Sequence, residues 1–214
     1  GQPIKNFYIE GLDLMKGRYG IATNNIDPNS ISTIEVLENH QDIKALKDLK
    51  PEERASINLK LKSGVKGVFN LIATLGGGYV DKLLWDNELI TTYFQRNSQL
   101  LATYKGNNSG TDLESELRSH TDYDYSRTST AMPATPGINK RYYYFNQSHS
   151  ATYNQVFRVG KNGELGINAA YLNDRDERSN QSVTTTLLPD GSKNVVDESF
   201  NGILHRNIAN GNIT

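Results

Sequence analysis

Tyr153-Asn154-Gln155-Val156-Phe157-Arg158-Val159 runs into Gly160-Lys161-Asn162-Gly163 and out again as Glu164-Leu165-Gly166-Ile167-Asn168-Ala169-Ala170-Tyr171. Successive side chains of a strand point to opposite faces. In the first run Tyr153, Gln155, Phe157 and Val159 therefore share a face; in the second Leu165, Ile167, Ala169 and Tyr171 do. The Gly-Lys-Asn-Gly between them offers residues that accept positive φ, as a tight hairpin turn requires. The whole reads as a hairpin with strands over 142–159 and 164–173, each long beside the usual ~5–6 residues.

Outward from this hairpin, 174–180 reads as a charged loop. Residues 182–188 and 193–200 read as a second hairpin about Pro189-Asp190-Gly191-Ser192, where Pro presets φ and Gly takes the left-handed region. The tail from Asn201 carries isolated Ile among Asn and Gly and yields no assignment. Upstream, 67–79, 83–96 and 98–105 alternate in the same way. The first of these ends in Gly76-Gly77-Gly78-Tyr79, read as a flexible strand end rather than a phosphate cradle, since no helix follows. In the third, Ser98, Leu100, Ala102 and Tyr104 oppose Gln99, Thr103 and Lys105, and Leu101 alone interrupts. Residues 107–140, rich in Ser, Thr, Asp, Asn and Pro, read as a long loop.

Residues 1–64 have another texture. Short strands are expected at 7–10, 33–37 and 56–62, with a Gly- and Asn-rich connection over 17–25. Asp27-Pro28 looks like a helix start, with Asp as cap and Pro in the first turn. Ile43, Leu46 and Leu49 fall at helical spacing until Pro51. In the last strand Ile57, Leu59 and Leu61 share one face and Asn58, Lys60 and Lys62 the other.

Composition agrees with exposed β-structure. Only 36% of the 214 residues are hydrophobic, and 12 Tyr outnumber 6 Phe and 1 Trp, which suits surfaces that are part apolar and part wet. A net charge of −1 without a basic stripe speaks against nucleic-acid binding. The lack of Cys excludes disulfides, thiolate metal sites and a thiol nucleophile. No stretch approaches the ~18 apolar residues of a transmembrane helix, but transmembrane strands need only ~9–11 residues and can be half polar. Gly1 directly before Gln2-Pro3 suggests a chain cut from a longer precursor.

Two stretches carry a resemblance. Tyr8-Ile9-Glu10-Gly11-Leu12-Asp13-Leu14 through Gly17-Arg18-Tyr19-Gly20-Ile21-Ala22-Thr23-Asn24-Asn25-Ile26, and Ser32-Thr33-Ile34-Glu35-Val36-Leu37-Glu38-Asn39-His40-Gln41, resemble the plug of TonB-dependent outer-membrane receptors of the Bacteroidetes, SusC-like type. Ile57-Asn58-Leu59-Lys60-Leu61-Lys62 looks like the last plug strand. Leu84-Trp85-Asp86-Asn87-Glu88-Leu89 and Tyr171-Leu172-Asn173-Asp174-Arg175 are similar to strand motifs of the same subgroup's barrel. The resemblance implies a mainly β chain with a minor α contribution. Residues 1–64 would be the C-terminal part of a plug, and 65–214 the first strands and loops of an incomplete barrel.

The resemblance also implies residence in the outer membrane against its lipid, and import of a large nutrient such as a glycan, peptide or siderophore. The full-length parent would be powered by the TonB complex, with room for a surface lipoprotein partner. Residues 8–62 would line part of the lumen, and 107–140 would form an extracellular loop. No enzyme, cofactor, metal or nucleic-acid partner is expected, and no ligand-binding residue is assigned. The alternative is a soluble periplasmic or surface β-rich binding or adhesion module. The two part on behaviour: a fragment of a barrel should self-associate through its open edges, a module should be monomeric.

Candidate clusters have plainer readings. His40 beside Glu38 and Asp42 reads as a polar turn, and His120, His149 and His205 as surface or loop histidines. Asp122-Tyr123-Asp124-Tyr125 and Asp174-Arg175-Asp176-Glu177 lack the spacing of a calcium loop and read as solvated loops. No Gly-x-Ser-x-Gly elbow occurs.

Overall fold

The computed structural model describes residues 4–38, 54–117, 137–160 and 163–214. The chain is mainly β with a minor helical part, in two sheets. The first is small and mixed: β1 (Phe7–Ile9) runs parallel to β3 (Ser56–Leu61), and β2 (Ile31–Leu37) runs antiparallel to β3 on its other side. Glu10 and Gly11, both at positive φ, turn the chain out of β1. β3 fixes that turn, since the Gly11 N–H donates to Asn58 Oδ1 at 2.9 Å and the Leu61 N–H to Glu10 Oε1 at 2.6 Å.

The Asp27-Pro28 start is present as a single 3-10 turn, Pro28–Ser30, capped by Asp27 Oδ1 on the Asn29 N–H at 2.9 Å. The β-branched residues after it take over at once as β2. The connection expected over 17–25 instead contains a helix, α1 (Tyr19–Asn25). Seven residues are too few for helix propensity to suffice, so burial of Ile21 and Ala22 holds it. The helix expected from Asp42, and His40, lie outside the described residues.

The second sheet has six strands in chain order, each antiparallel to the next: β4 (Phe69–Tyr79), β5 (Leu83–Gln95), β6 (Ser98–Asn107), β7 (Phe145–Val159), β8 (Gly163–Leu187) and β9 (Lys193–Ile213). It does not close; β4 and β9 are its edges. Two expectations change. The charged stretch 174–180 is not a loop but the middle of β8, paired residue by residue with β9. The unassigned tail is β9, running to Ile213. Gly76-Gly77-Gly78 forms the end of β4, as expected, opposite Asp86, Trp85 and Leu84, and a Cβ at Gly76 would stand 3.0 Å from the Asp86 carbonyl oxygen. Within 107–140, the described residues form 3-10 turns at Glu114–Leu117 and Lys140–Tyr142; 118–136 lie outside the described residues.

One apolar core joins the two sheets. Ile9, Leu12, Leu14, Met15 and Ile21 of the N-terminal part pack with Ile90, Phe94, Leu101 and Val156 of the six-stranded sheet. Leu101, which breaks the alternation of β6, is fully buried in this core. Its apolar side chain belongs to the contact between the two parts rather than to the strand's own pattern.

Candidate functional site

Away from the apolar patch under the N-terminal part (Ile90, Phe94, Leu101 and Val156), the middle of the six-stranded sheet is largely polar where it is buried and largely apolar where it is exposed. Along β7 the buried positions are Asn146, Ser148, Ser150, Thr152, Asn154 and Val156, while Phe145, Ala151, Tyr153 and Val159 are exposed. Along β8 the buried set is Asn168, Ala170, Leu172, Asp174 and Asp176, and Leu165, Ala169 and Tyr171 face outward. Register carries the division across the sheet: Tyr153 sits opposite Ala102 and Ala169, and Thr152 opposite Thr103 and Ala170. A water-soluble sheet shows the opposite arrangement, because burying uncompensated polar groups costs free energy.

The buried polar groups are compensated by one another. Asp174 accepts from Tyr144 Oη and Ser148 Oγ, each at 2.6 Å, and from the Arg206 guanidinium. Asp176, fully buried, accepts both ends of the Arg178 guanidinium, at 2.6 and 3.2 Å. Asn146 Nδ2 donates to Asn107 Oδ1 at 2.8 Å and to Ser148 Oγ at 2.7 Å, and its Oδ1 receives the Gly110 N–H at 2.9 Å. Thr103 and Thr152 hydroxyls meet at 2.8 Å. Burial, and the Asp174 carboxylate it donates to, push the Tyr144 phenol well above its ordinary range.

The N-terminal part docks on this inner face through backbone carbonyls. Gln99 Nε2 donates to the Ile9 carbonyl and Asn168 Nδ2 to the Leu14 carbonyl, both at 2.8 Å. Arg18 Nη2 donates to Asn210 Oδ1 at 2.8 Å. Amide side chains reading carbonyls constrain the partner's backbone and leave its side-chain sequence free. Gln99 Oε1 and Asn168 Oδ1 are buried at the same seam with no protein partner.

No family model, curated protein or solved structure matches the chain. Function has to be read from the chain itself.

Of the clusters picked out above, Asp174 and Asp176 belong to the inner network, whereas Arg175 and Glu177 pair with each other at 2.9 Å on the outer face. The solvated-loop reading of this stretch is thus corrected: two of its acids are buried, Asp174 neutralised by Arg206 of the neighbouring β9 and Asp176 by Arg178 of its own strand. His149 sits half-exposed on the outer face of β7, a surface position as expected. It packs on Trp85 with ring centroids 5.3 Å apart, and its Nδ1 lies 2.9 Å from Tyr104 Oη. His205 is exposed on β9. His120 and Asp122 to Tyr125 lie outside the described residues. Among the described residues, no group of three or more His, Cys, Asp or Glu is placed to hold a metal ion.

Sequence reasoning missed Tyr144, Ser148 and Arg206 altogether. Their signal was weak: each lies at an inward position of an alternating strand or just before one, and only the register brings them to Asp174.

Proposed function

We propose that this chain is part of an outer-membrane, TonB-energised receptor that imports a large nutrient, with residues 8–62 as plug and the six-stranded sheet as the first part of the barrel wall. The observation that carries the reading is the inversion of the sheet, polar within and apolar without. That is the pattern of a wall between hydrocarbon and an aqueous lumen. Strand length supports it: β7, with 15 residues, spans ~50 Å at ~3.3 Å per residue, more than a bilayer core of ~30 Å needs even when tilted. The parallel β1–β3 pair and α1, seated against the inner face, take the place of a plug. Binding and gating would be the work of such a protein, so its residues are read as packing and recognition groups rather than catalytic ones.

The inverted sheet also weighs against a soluble adhesion module, which would present Phe69, Leu75, Leu165 and Ile203 to water. Deleting the gene that encodes the chain should abolish uptake of one nutrient, and in the undeleted strain the protein should be found in isolated outer membranes. Normal growth of the deletion strain on every candidate substrate, with the protein absent from the undeleted strain's outer membranes, would contradict the proposal. Light scattering on the purified chain separates the alternatives: self-association follows from open edges and apolar faces, a well-behaved monomer from a soluble module.

A further inference from the structure

The geometry points to a latch: residues 112–117, after β6, tie α1 to the inner wall of the sheet and can release it. The segment is anchored at its start, where Asn107 Oδ1 accepts the Thr111 N–H at 3.2 Å and Asn146 Oδ1 the Gly110 N–H at 2.9 Å. Beyond that anchor it turns inward as the 3-10 turn Glu114–Leu117 and packs on α1. The approach is close. A Cβ at Gly20 of α1 would lie 3.3 Å from the Glu116 carbonyl oxygen, and Asn25 Nδ2 reaches Glu116 Oε2 at 3.4 Å. Leu117 rests against the shared apolar core, and Leu113 is buried.

Two ion pairs hold the segment to the wall. Lys105 Nζ lies 2.7 Å from Glu116 Oε1, and Arg206 Nη1 2.6 Å from Glu114 Oε2. Each of these cations also has a carboxylate of its own wall: Glu88 at 2.8 Å for Lys105, and Asp174 for Arg206. Breaking a sole buried ion pair strands a charge and is costly. Here withdrawal strands none, because Lys105 keeps Glu88, Arg206 keeps Asp174, and the two glutamates pass into water. The wall balances its own two cations once the segment is withdrawn, and docking adds two further carboxylates to cations that already have one each, which makes the docked state reversible rather than obligatory. The latch stands on these contacts alone. Its use as a gate, freeing the plug-like part when something enters the lumen, rests on the transporter reading.

Amide hydrogen exchange on the purified full chain in micelles tests it. In the unaltered chain, amides of 114–117 and of α1 should share one opening free energy, lower than that of β7 and β8. In E114Q/E116Q, exchange in α1 should rise about tenfold, as expected for lost charge-assisted bonds, with β7 and β8 unchanged. Independent opening of α1 and 114–117, no change in α1 in the variant, or an equal rise across β7 and β8 would each overturn the latch. None of these outcomes bears on membrane residence, which the uptake and localisation experiment decides separately.

Discussion

Asp174 receives Tyr144, Ser148 and Arg206 at once, so it is where single substitutions should tell most. Asp174→Asn leaves Arg206 its pair with Glu114 but takes the charge out of the bonds from Tyr144, Ser148 and Arg206, and a loss of about 2 kcal/mol in denaturant unfolding is expected. Glu177→Gln, which breaks the half-exposed pair with Arg175, should cost under ~1 kcal/mol in the same measurement. The Tyr144 phenol is raised in the folded chain, so its contribution is complete below the ordinary tyrosine value of ~10 and declines as pH rises above it. The stability advantage of the natural chain over Tyr144→Phe should therefore shrink above about pH 10, and an advantage that stays constant there would contradict the burial of this hydroxyl. Little of this was legible in the sequence. Asp174-Arg175-Asp176-Glu177 has loop composition, and the partners of Asp174, the cation Arg206 and the donor Tyr144, come from 30 or more positions away.

At the scale of elements the period of two was readable, and so were the turns. The Gly160 and Gly191 turns fall where expected, because positive φ is a local demand: the two glycines stand at φ +66° and +84°. Gly191→Ala should cost about 1 kcal/mol through backbone strain, with hydrogen exchange faster at the β8–β9 turn only. The extent of β8 and β9 was not readable, since Asn and charged residues at inward positions look like loop until a partner strand is known. The short α1 was hidden for a different reason, because its stability comes from Ile21 and Ala22 in the core and not from its own sequence. Leu101, an apparent flaw in β6, is the contact point with the N-terminal part. Leu101→Ala should lower stability by about 3 kcal/mol in thermal or denaturant unfolding.

For the molecule as a whole, alternation established that the sheet has two unlike faces but not which of them is buried. That depends on what lies on each side, and the bonds from Gln99 and Asn168 to the Ile9 and Leu14 carbonyls of the N-terminal part make the polar face the inner one. If the outer face meets lipid, the environment should alternate residue by residue along β7. The chain lacks cysteine, so single cysteines placed at 150 to 155 can each carry an environment-sensitive fluorophore in isolated outer membranes. Brominated lipid should quench labels at the outward positions 151, 153 and 155 and spare those at 150, 152 and 154. Uniform quenching, no quenching, or quenching of the inward set would show that the apolar face of this sheet is not the one in the membrane.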